Sequence, residues 1–265
     1  MLRTLTKQLR IFNVSDLHLE YYVDHHVLYH RLHPILPHAD VLVLAGDVGY
    51  PNKEYKSLLN KFKLKYKHVV LVPGNHEYYV TENFNRQAVW NQLQDICTSE
   101  SCHLLNNSSI ELEGVNFLGT TLWSRISPKY ECIAMETFKS FAKIFLSLQV
   151  ANKEFQQSVD WLKQELQTST NDRQVVISHH VPSYSLQHWK YATNTSRYKE
   201  LIDSLFYSEI LDVFNLSKVK YWFCGHSHEY NVMTHKSTQI ILNPYGTPQE
   251  QGTKQTPLST NVHWI

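Results

Sequence analysis

The sequence reads VLVLAGDV over Val41–Val48 and HVVLVPGNHE over His68–Glu77, and each stretch joins an apolar run to a short polar block. The apolar runs are Val41–Ala45 and His68–Val72, and runs of about five residues rich in β-branched side chains are typical of β-strands. Between them, Glu54–Lys65 carries apolar residues at a spacing of three to four, which indicates a helix. This alternation of strand and helix favours an α/β fold in which helices cover the sheets.

The same alternation continues along the chain. Further strands are predicted at Leu9–Val14, Val115–Leu118, Val175–Ser178, Tyr221–Cys224 and Gln239–Leu242, and further helices at Thr81–Cys97, Lys153–Leu166 and Ser208–Leu216. Ser109–Leu112 and Val115–Leu118, joined by Glu113-Gly114, are predicted to form a hairpin, so we expect mixed sheets. Ser124–Gln149 interrupts the alternation and is predicted to be a helical insertion at about 124–149. We expect residues 1–265 to form a single domain.

Composition argues against several classes of protein. The chain has 25 basic and 24 acidic residues, a formal net charge of +1. This balance gives no electrostatic indication of a nucleic-acid, membrane or acidic partner. No apolar run approaches the roughly 20 residues of a membrane span, and the N-terminus lacks the apolar core of a secretory signal. The cysteines form no CxxC pair, so we expect reduced thiols and a cytoplasmic protein.

The polar residues that could carry chemistry directly follow the predicted strands. They are Asp16-Leu17-His18, Gly46-Asp47, Gly74-Asn75-His76-Glu77, His179-His180 and Gly225-His226-Ser227-His228. In open α/β sheets, ligand sites form outside the carboxyl ends of the strands. Five strand ends can therefore gather residues that are far apart in the sequence into one site.

The side chains in these blocks are of the types that bind metal ions. Carboxylates, an amide oxygen and imidazoles together suit divalent ions such as Mn, Fe and Zn. At a strand end, the i and i+2 spacing of Asp16 and His18 puts both side chains on one side of the pleat. His226 and His228 have the same spacing and could share one ion or bind one ion each. The glycines allow sharp turns that point the next side chain into the site; they are Gly46, Gly74 and Gly225.

Each block alone also has a purely structural explanation. A Gly-Asp pair such as Gly46-Asp47 is often only a turn, and Asn75 could cap a helix. A single Asp-x-His or His-x-His pair occurs often by chance. The order of all five blocks at five strand ends is what favours a metal site.

Together, the five blocks resemble the signature of the calcineurin-like metallophosphoesterase superfamily, over about Arg10–Asn243. The resemblance implies two mixed β-sheets packed face to face with helices outside, a four-layer αββα sandwich. It also implies two metal ions bridged by one aspartate and by a hydroxide. The implied reaction is hydrolysis of a phosphate ester by in-line attack of that hydroxide on phosphorus.

Carried onto this chain, the resemblance assigns each residue of the site a role. One metal would be held by Asp16, His18, Asp47 and His228, and the other by Asp47, Asn75, His179 and His226, with Asp47 bridging. His76 would be the catalytic histidine beside the phosphate. The expected cofactors are two divalent or mixed-valence ions of Mn, Fe or Zn. His180 could support its neighbour His179, and Glu77 is expected to accept a hydrogen bond from a neighbouring loop.

The blocks also bear on the substrate. The stretch Gly46–Tyr50 lacks the arginine of the Gly-Asp-x-Val-Asp-Arg-Gly block of Ser/Thr protein phosphatases, and no basic extension indicates a nuclease. We therefore expect a small phosphodiester or phosphomonoester, with Thr121, Trp123 and Tyr184 as candidate pocket walls; for Trp123, core packing is the alternative. A non-catalytic, protein-binding scaffold of the same fold is an alternative of a different class, disfavoured because His76 is intact. The sequence leaves the oligomeric state open.

Overall fold

Two β-sheets packed face to face form the centre of the protein, in a computed structural model that describes residues 8–79, 85–137, 144–187, 199–251 and 258–265. The strands of the first sheet are β1 (Arg10–Val14), β2 (Val41–Ala45), β3 (His68–Val72), β4 (His103–Leu104) and β11 (His263–Trp264). Their order is β11-β1-β2-β3-β4. Strands β1 to β4 are parallel, and β11 is antiparallel to β1.

The second sheet is also mixed. Its strands are β5 (Ser108–Leu112), β6 (Val115–Thr120), β7 (Gln174–Ser178), β8 (Val219–Cys224), β9 (Asn231–His235) and β10 (Thr238–Leu242), in the order β5-β6-β7-β8-β10-β9. The four central strands are parallel, and the two edge strands are antiparallel to their neighbours. Both sheets therefore direct the carboxyl ends of several parallel strands to one side.

Strand β2 shows why the central strands are continuously apolar. Val41 and Val43 belong to an apolar layer that contains strand residues of both sheets, so they lie between the sheets. Leu42 and Leu44 point to the opposite face and pack in a cluster that includes helix residues. Both faces of β2 are buried, which requires an unbroken apolar run. The predicted fold of two mixed sheets flanked by helices is confirmed.

The described helices are α1 (His25–Leu32), α2 (Lys53–Lys63), α3 (Arg86–Ser99), α4 (Glu131–Thr137), α5 (Leu148–Thr168), α6 (Lys199–Phe206) and α7 (Pro248–Gln251). Helices α1, α2, α3 and α5 bury residues in the apolar cluster on the outer faces of the sheets. In α2, the side chain of Asn52 accepts a hydrogen bond from the Tyr55 amide at 2.9 Å and so caps the first turn. Within the described ranges, no helix is long and apolar enough to cross a bilayer.

Most of the predicted elements are present, but one helix is wrong. For the predicted helix Thr81–Cys97, residues 81–84 lie outside the described ranges, and the described helix begins at Arg86. Every predicted strand is found, and Leu112 pairs with Val115 in the predicted hairpin. Ser208–Leu216, predicted as a helix, contains only a 3-10 turn at Leu211–Val213. Here Ser208 N donates to Val181 O at 3.0 Å, and Ile210 N donates to Pro182 O at 3.2 Å. The segment therefore begins as non-helical chain hydrogen-bonded to the loop after β7, and Val213 N→Ile210 O closes only a 3-10 turn, although the apolar spacing is helical.

The predicted insertion at about 124–149 is helical where the structure describes it. It holds a 3-10 turn at Pro128–Tyr130, helix α4 and the first residues of α5, while residues 138–143 lie outside the described ranges. The Asn152 side chain accepts from Ile126 N at 3.0 Å and donates to Ile126 O at 2.8 Å. This pair of bonds joins α5 to the start of the segment. The description of residues 1–265 as one domain stays a prediction.

Gly119 of β6 generates a prediction about how closely the sheets approach. A Cβ atom at this position would lie 2.9 Å from Cγ1 of Val72 in the other sheet and would overlap the side chain of Leu105. We expect Gly119→Ala to lower the free energy of unfolding by about 1–3 kcal/mol, because neither neighbour can move away without disturbing the core. Urea denaturation measures this, with Ser109→Ala on the exposed face of β5 as the control. Equal stability of the two variants would contradict the close approach.

Candidate metal centre

The residues predicted to form the site follow strands whose carboxyl ends meet. Asp16 and His18 follow β1, Asp47 follows β2, Asn75 and His76 follow β3, His179 follows β7, and His226 and His228 follow β8. Backbone hydrogen bonds link these loops beyond the strand ends. Asp16 N donates to Gly46 O at 3.0 Å, and Gly225 N donates to His179 O at 3.0 Å. The loops are therefore held in a fixed arrangement around the site.

The first group of converging side chains consists of Asp16, His18, Asp47 and His228. One potential ligand atom of each lies within 4.8 Å of the others. The Nε2 atoms of His18 and His228 are 2.9 Å apart. His228 Nε2 lies 3.4 Å from Asp16 Oδ1, and His18 Nε2 lies 4.0 Å from Asp47 Oδ2. This is the set predicted to hold one metal.

The second group contains Asp47, His179 and His226, whose potential ligand atoms also lie within 4.8 Å of one another. His179 Nε2 lies 3.3 Å from Asp47 Oδ2 and 3.0 Å from Asn75 Oδ1. His226 Nε2 faces the carbonyl of Leu205 at 3.2 Å. These residues, with Asn75, are the set predicted to hold the other metal, and Asp47 is common to both groups.

Asp47 is buried, and its two carboxylate oxygens differ in their hydrogen bonding. Oδ1 accepts a hydrogen bond from His76 N at 2.8 Å. Oδ2 has no hydrogen-bond partner among the described residues. A buried carboxylate oxygen without a partner is costly unless a cation compensates it. Its position between His18 and His179, together with the carboxylate, imidazole and amide donors around it, fits a pair of bound divalent cations.

The family profile described as "Calcineurin-like phosphoesterase" matches residues 9–230. The chain belongs to the calcineurin-like phosphoesterase family. An uncharacterised protein of Acanthamoeba polyphaga mimivirus is 27% identical to it over 264 residues, covering 90% of this chain and 91% of the relative.

Two solved structures share the fold of this calcineurin-like phosphoesterase. The phosphopantetheinyl hydrolase of Mycobacterium tuberculosis has a TM-score of 0.71 at 15% identity, covering 98% of this chain and 97% of that one. A dimetal phosphatase from Danio rerio has a TM-score of 0.52 at 14% identity, covering 89% and 87% of the two chains. At this level of identity, the likeness concerns the fold.

Two glutamates that sequence reasoning missed orient two of the histidines in this phosphoesterase. Glu20 Oε1 accepts from His18 Nδ1 at 3.0 Å, and Glu250 Oε2 accepts from His228 Nδ1 at 2.9 Å. Each bond turns the Nε2 atom of its histidine towards the carboxylates, as carboxylates behind metal-binding histidines commonly do. The capping-box spacing of Thr247 and Glu250 was a signal for the second glutamate. Glu20 lies in the 3-10 turn Leu19–Tyr21, and no local pattern links it to the histidines.

The backbone of the site is strained. Five of the seven predicted ligands have left-handed φ values: 55° at Asp16, 49° at His18, 54° at Asp47, 69° at His226 and 55° at His228. Each such conformation costs on the order of 1 kcal/mol or more for a residue other than glycine. Strain of this kind persists where the surrounding structure imposes it and is concentrated at functional sites.

The three glycines of the site serve two different purposes. Gly46 has a φ of 87°, so it provides the sharp turn predicted from the sequence. Gly74 and Gly225 do not have left-handed φ values, so the backbone conformation does not require glycine there. A Cβ on Gly74 would lie 2.8 Å from His179 Cε1, and one on Gly225 would lie 2.8 Å from Asp16 Oδ2. These two glycines are needed for space.

The charges of the site are strongly coupled. Burial raises the pKa of Asp47, but the nearby His179 and His76 lower it well below its usual value. Burial lowers the pKa of His228, yet hydrogen bonds to Asp16 and Glu250 raise it to about 10. The carboxylates of the site thus favour positive charge around them, which is the condition a cation site needs.

His180 differs from its neighbour His179. Burial and then the charge of His179 lower the pKa of His180 to about 3, so its ring is neutral. The His180 ring packs 5.3 Å from Trp123 and 4.3 Å from His226, measured between centroids. The structure brings His179, and not His180, to Asp47. The ligand role of His179 itself stays a prediction.

Glu77 joins the loops after β2 and β3. Its buried carboxylate accepts from the amides of Gly74 at 2.7 Å, Val48 at 2.8 Å and Asp47 at 3.1 Å. This agrees with the structural role predicted from the sequence. These bonds fix the backbone that carries both Asp47 and the Gly74–His76 turn.

The candidate pocket walls were largely wrong. Trp123 is 4% exposed and packs edge-on against Phe145 with centroids 4.5 Å apart, so core packing explains it. Thr121 is buried, and its Oγ1 donates to Pro73 O at 2.9 Å. Tyr184 is partly exposed and packs near Tyr207. Burial thus removes Thr121 and Trp123 from the accessible surface of the site.

The bonds of Glu77 generate a stability prediction. We expect Glu77→Ala to lower the free energy of unfolding by about 3 kcal/mol or more, because buried amides lose their acceptors. Urea denaturation in the presence of EDTA measures the effect on the frame without any contribution from metal binding. Glu136→Ala, on the exposed side of α4, is the control. If the two variants were equally stable, Glu77 would not hold the loops together.

Proposed function

We propose that this calcineurin-like phosphoesterase is a binuclear-metal-dependent hydrolase of a small phosphate ester. The single observation that carries the proposal is the shared position of Asp47 Oδ2, which is buried, lacks a hydrogen-bond partner among the described residues, and lies near both His18 and His179. A bridging carboxylate between two cations has these properties.

The proposed metal ligands divide into two sets. Asp16, His18, Asp47 and His228 would hold one ion, and Asp47, Asn75, His179 and His226 would hold the other. Mn, Fe and Zn suit these donors. When bound, the two cations supply Lewis acidity that activates water and offsets the negative charge of the phosphate.

His76 is the proposed catalytic residue. Its backbone amide is fixed by Asp47 Oδ1 at 2.8 Å, and its Nδ1 is occupied by Glu20 Oε1 at 2.8 Å. The Nε2 atom is therefore the nitrogen that can meet the substrate, and the side chain is 18% exposed. His76 would donate a hydrogen bond to a phosphoryl oxygen or a proton to the departing alcohol.

The proposed substrate is a small phosphodiester or phosphomonoester. Tyr50 stands where the protein-phosphatase block described above carries an acidic residue followed by arginine, which disfavours that class. The name of the fold relative from Mycobacterium tuberculosis motivates the inclusion of a phosphopantetheinyl ester among the compounds tested.

We also propose that residues 1–265 form one domain with a cytoplasmic location. Strands from β1 to β11 pair within two sheets that share one apolar layer, which supports a single unit. The cysteines are free thiols, which suits a reducing compartment; they are Cys97, Cys102, Cys132 and Cys224.

His76→Asn tests the proposed function. We expect the purified wild type, loaded with Mn²⁺, to hydrolyse bis-p-nitrophenyl phosphate or p-nitrophenyl phosphate. The variant should keep two metal equivalents and lose about 10²–10⁴-fold in kcat, because it loses the proton donor and not a ligand. Metal content by mass spectrometry and initial rates with both esters provide the measurement.

The outcomes separate the alternatives. A preference for the diester would favour a phosphodiesterase, and a preference for the monoester would favour a phosphatase. A wild type that carries two metal ions and hydrolyses neither these esters nor a phosphopantetheinyl ester would favour the protein-binding scaffold. Wild-type turnover in His76→Asn would contradict the role of His76.

A further inference from the structure

Glu20 forms, with His18 and His76, a third group whose potential ligand atoms lie within 4.8 Å of one another, and neither proposed metal-ligand set includes Glu20. It sits in the 3-10 turn Leu19–Tyr21 after β1, and its side chain is 3% exposed. Its Oε1 atom lies 3.0 Å from His18 Nδ1 and 2.8 Å from His76 Nδ1. The two imidazole rings meet edge-on, with centroids 4.4 Å apart. One carboxylate oxygen therefore contacts both a proposed ligand and the proposed catalytic histidine.

We propose that Glu20 is a positioning residue, which aligns His76 for catalysis and couples it to the metal ligand His18. The inference rests on the proposed function and deepens it. A carboxylate accepts hydrogen bonds, so both Nδ1 atoms donate to Oε1. This fixes the ring orientation and the protonated nitrogen of each histidine.

Fixing Nδ1 determines what each Nε2 atom does. In His18, Nε2 is turned to the first group and lies 2.9 Å from His228 Nε2. In His76, Nε2 is the nitrogen left for the substrate. Because both rings are held by the same oxygen, the catalytic nitrogen is held at a set distance from the metal site.

Gly49, in the stretch Gly46–Tyr50 after β2, provides the space for the Glu20 side chain. Gly49 has a φ of 145°, and a Cβ there would lie 3.0 Å from Glu20 Oε2 and 2.8 Å from Leu19 Cβ. Leu19 N donates to Val48 O at 3.0 Å, which ties the Glu20 turn to the loop after β2. A residue with a side chain at position 49 would displace the carboxylate. The glycine in Gly46–Tyr50 thus has a specific purpose in this protein.

Glu20 differs from a residue that serves stability alone. Its Oε2 atom is buried and lacks a hydrogen-bond partner among the residues that the structure describes. Burying a carboxylate with one oxygen unpaired costs free energy. The hydrogen bonds that Glu20 does accept come from two histidines of the site. The unfavourable burial of its carboxylate is therefore associated with orienting the catalytic nitrogen.

The first test is a double-mutant cycle at full metal occupancy. We expect Glu20→Gln to lower kcat about 10–100-fold in the wild-type background. In the His76→Asn background, the same change should lower kcat less than about threefold, because the ring that Glu20 aligns is absent. Saturating Mn²⁺, with two equivalents verified, removes the separate effect of weaker metal binding through His18.

Glu250→Gln is the matched control. Glu250 accepts from His228 Nδ1 as Glu20 accepts from His18 Nδ1, but its hydrogen bond goes to a histidine other than His76. Whatever the fold-change in kcat that Glu250→Gln causes in the wild-type background, we expect the same fold-change in the His76→Asn background. In a series of aryl esters, Glu20→Gln should steepen the dependence of kcat on leaving-group pKa, and Glu250→Gln should not. An equal loss from Glu20→Gln in both backgrounds would overturn the proposal.

The second test does not depend on turnover. In Zn²⁺-loaded protein with ¹⁵N-labelled histidine, we expect the Nδ1–H proton of His76 to show the downfield shift of a hydrogen bond to a carboxylate in the wild type and to lose that shift in Glu20→Gln. An unchanged Nδ1–H signal would overturn the positioning role. If the metal-loaded wild type hydrolyses no ester while this change of the Nδ1–H signal is observed, the proposed function fails and the alignment by Glu20 stands.

Discussion

A buried carboxylate, Asp47, must be compensated by positive charge, and the rest of the site is arranged around this requirement. It follows the central strand β2 of the first sheet, and it is buried, so water cannot easily stabilise it. Its Oδ1 atom is bonded by His76 N, while Oδ2 faces His18 and His179. Without a cation, protonated imidazoles must balance the charge. Burial opposes both charged forms, but mutual attraction lowers the pKa of Asp47 well below its usual value and raises the pKa of His179 to about 9.

The strained backbone and the buried charges of the site are locally destabilising, and the two packed sheets hold them in place. Left-handed backbone at Asp16, Asp47 and His228 is unfavourable, and so is the burial of several charged groups. The two packed sheets fix the strand ends, and the loop-to-loop hydrogen bonds with Glu77 fix the backbone beyond them. A stable frame can therefore impose a strained site, which is the usual relation between scaffold and function.

The sequence predicted the parts of this protein that local patterns determine. Strands β2 and β3 have apolar side chains on both faces, so their bounds were predicted correctly from the run itself. The pattern failed at Ser208–Leu216, where the apolar spacing is helical but the chain packs against the loop after β7 and forms only a 3-10 turn. Short strands such as β4 and β11 were missed, because their pairing is set by distant segments.

The residues of the candidate site were likewise predictable only where a local sequence pattern marks them. Its five blocks could be found because each follows a strand, but Glu20 and Glu250 reach the histidines through the fold, and no metal-ligand spacing marks them.

The central claim is that Asp47 joins two cations. An anomalous-scattering map of crystals soaked in manganese tests it most directly. The account predicts two peaks on either side of Asp47 Oδ2, one near His18 and His228 and one near His179 and His226. A map without ions there would contradict it.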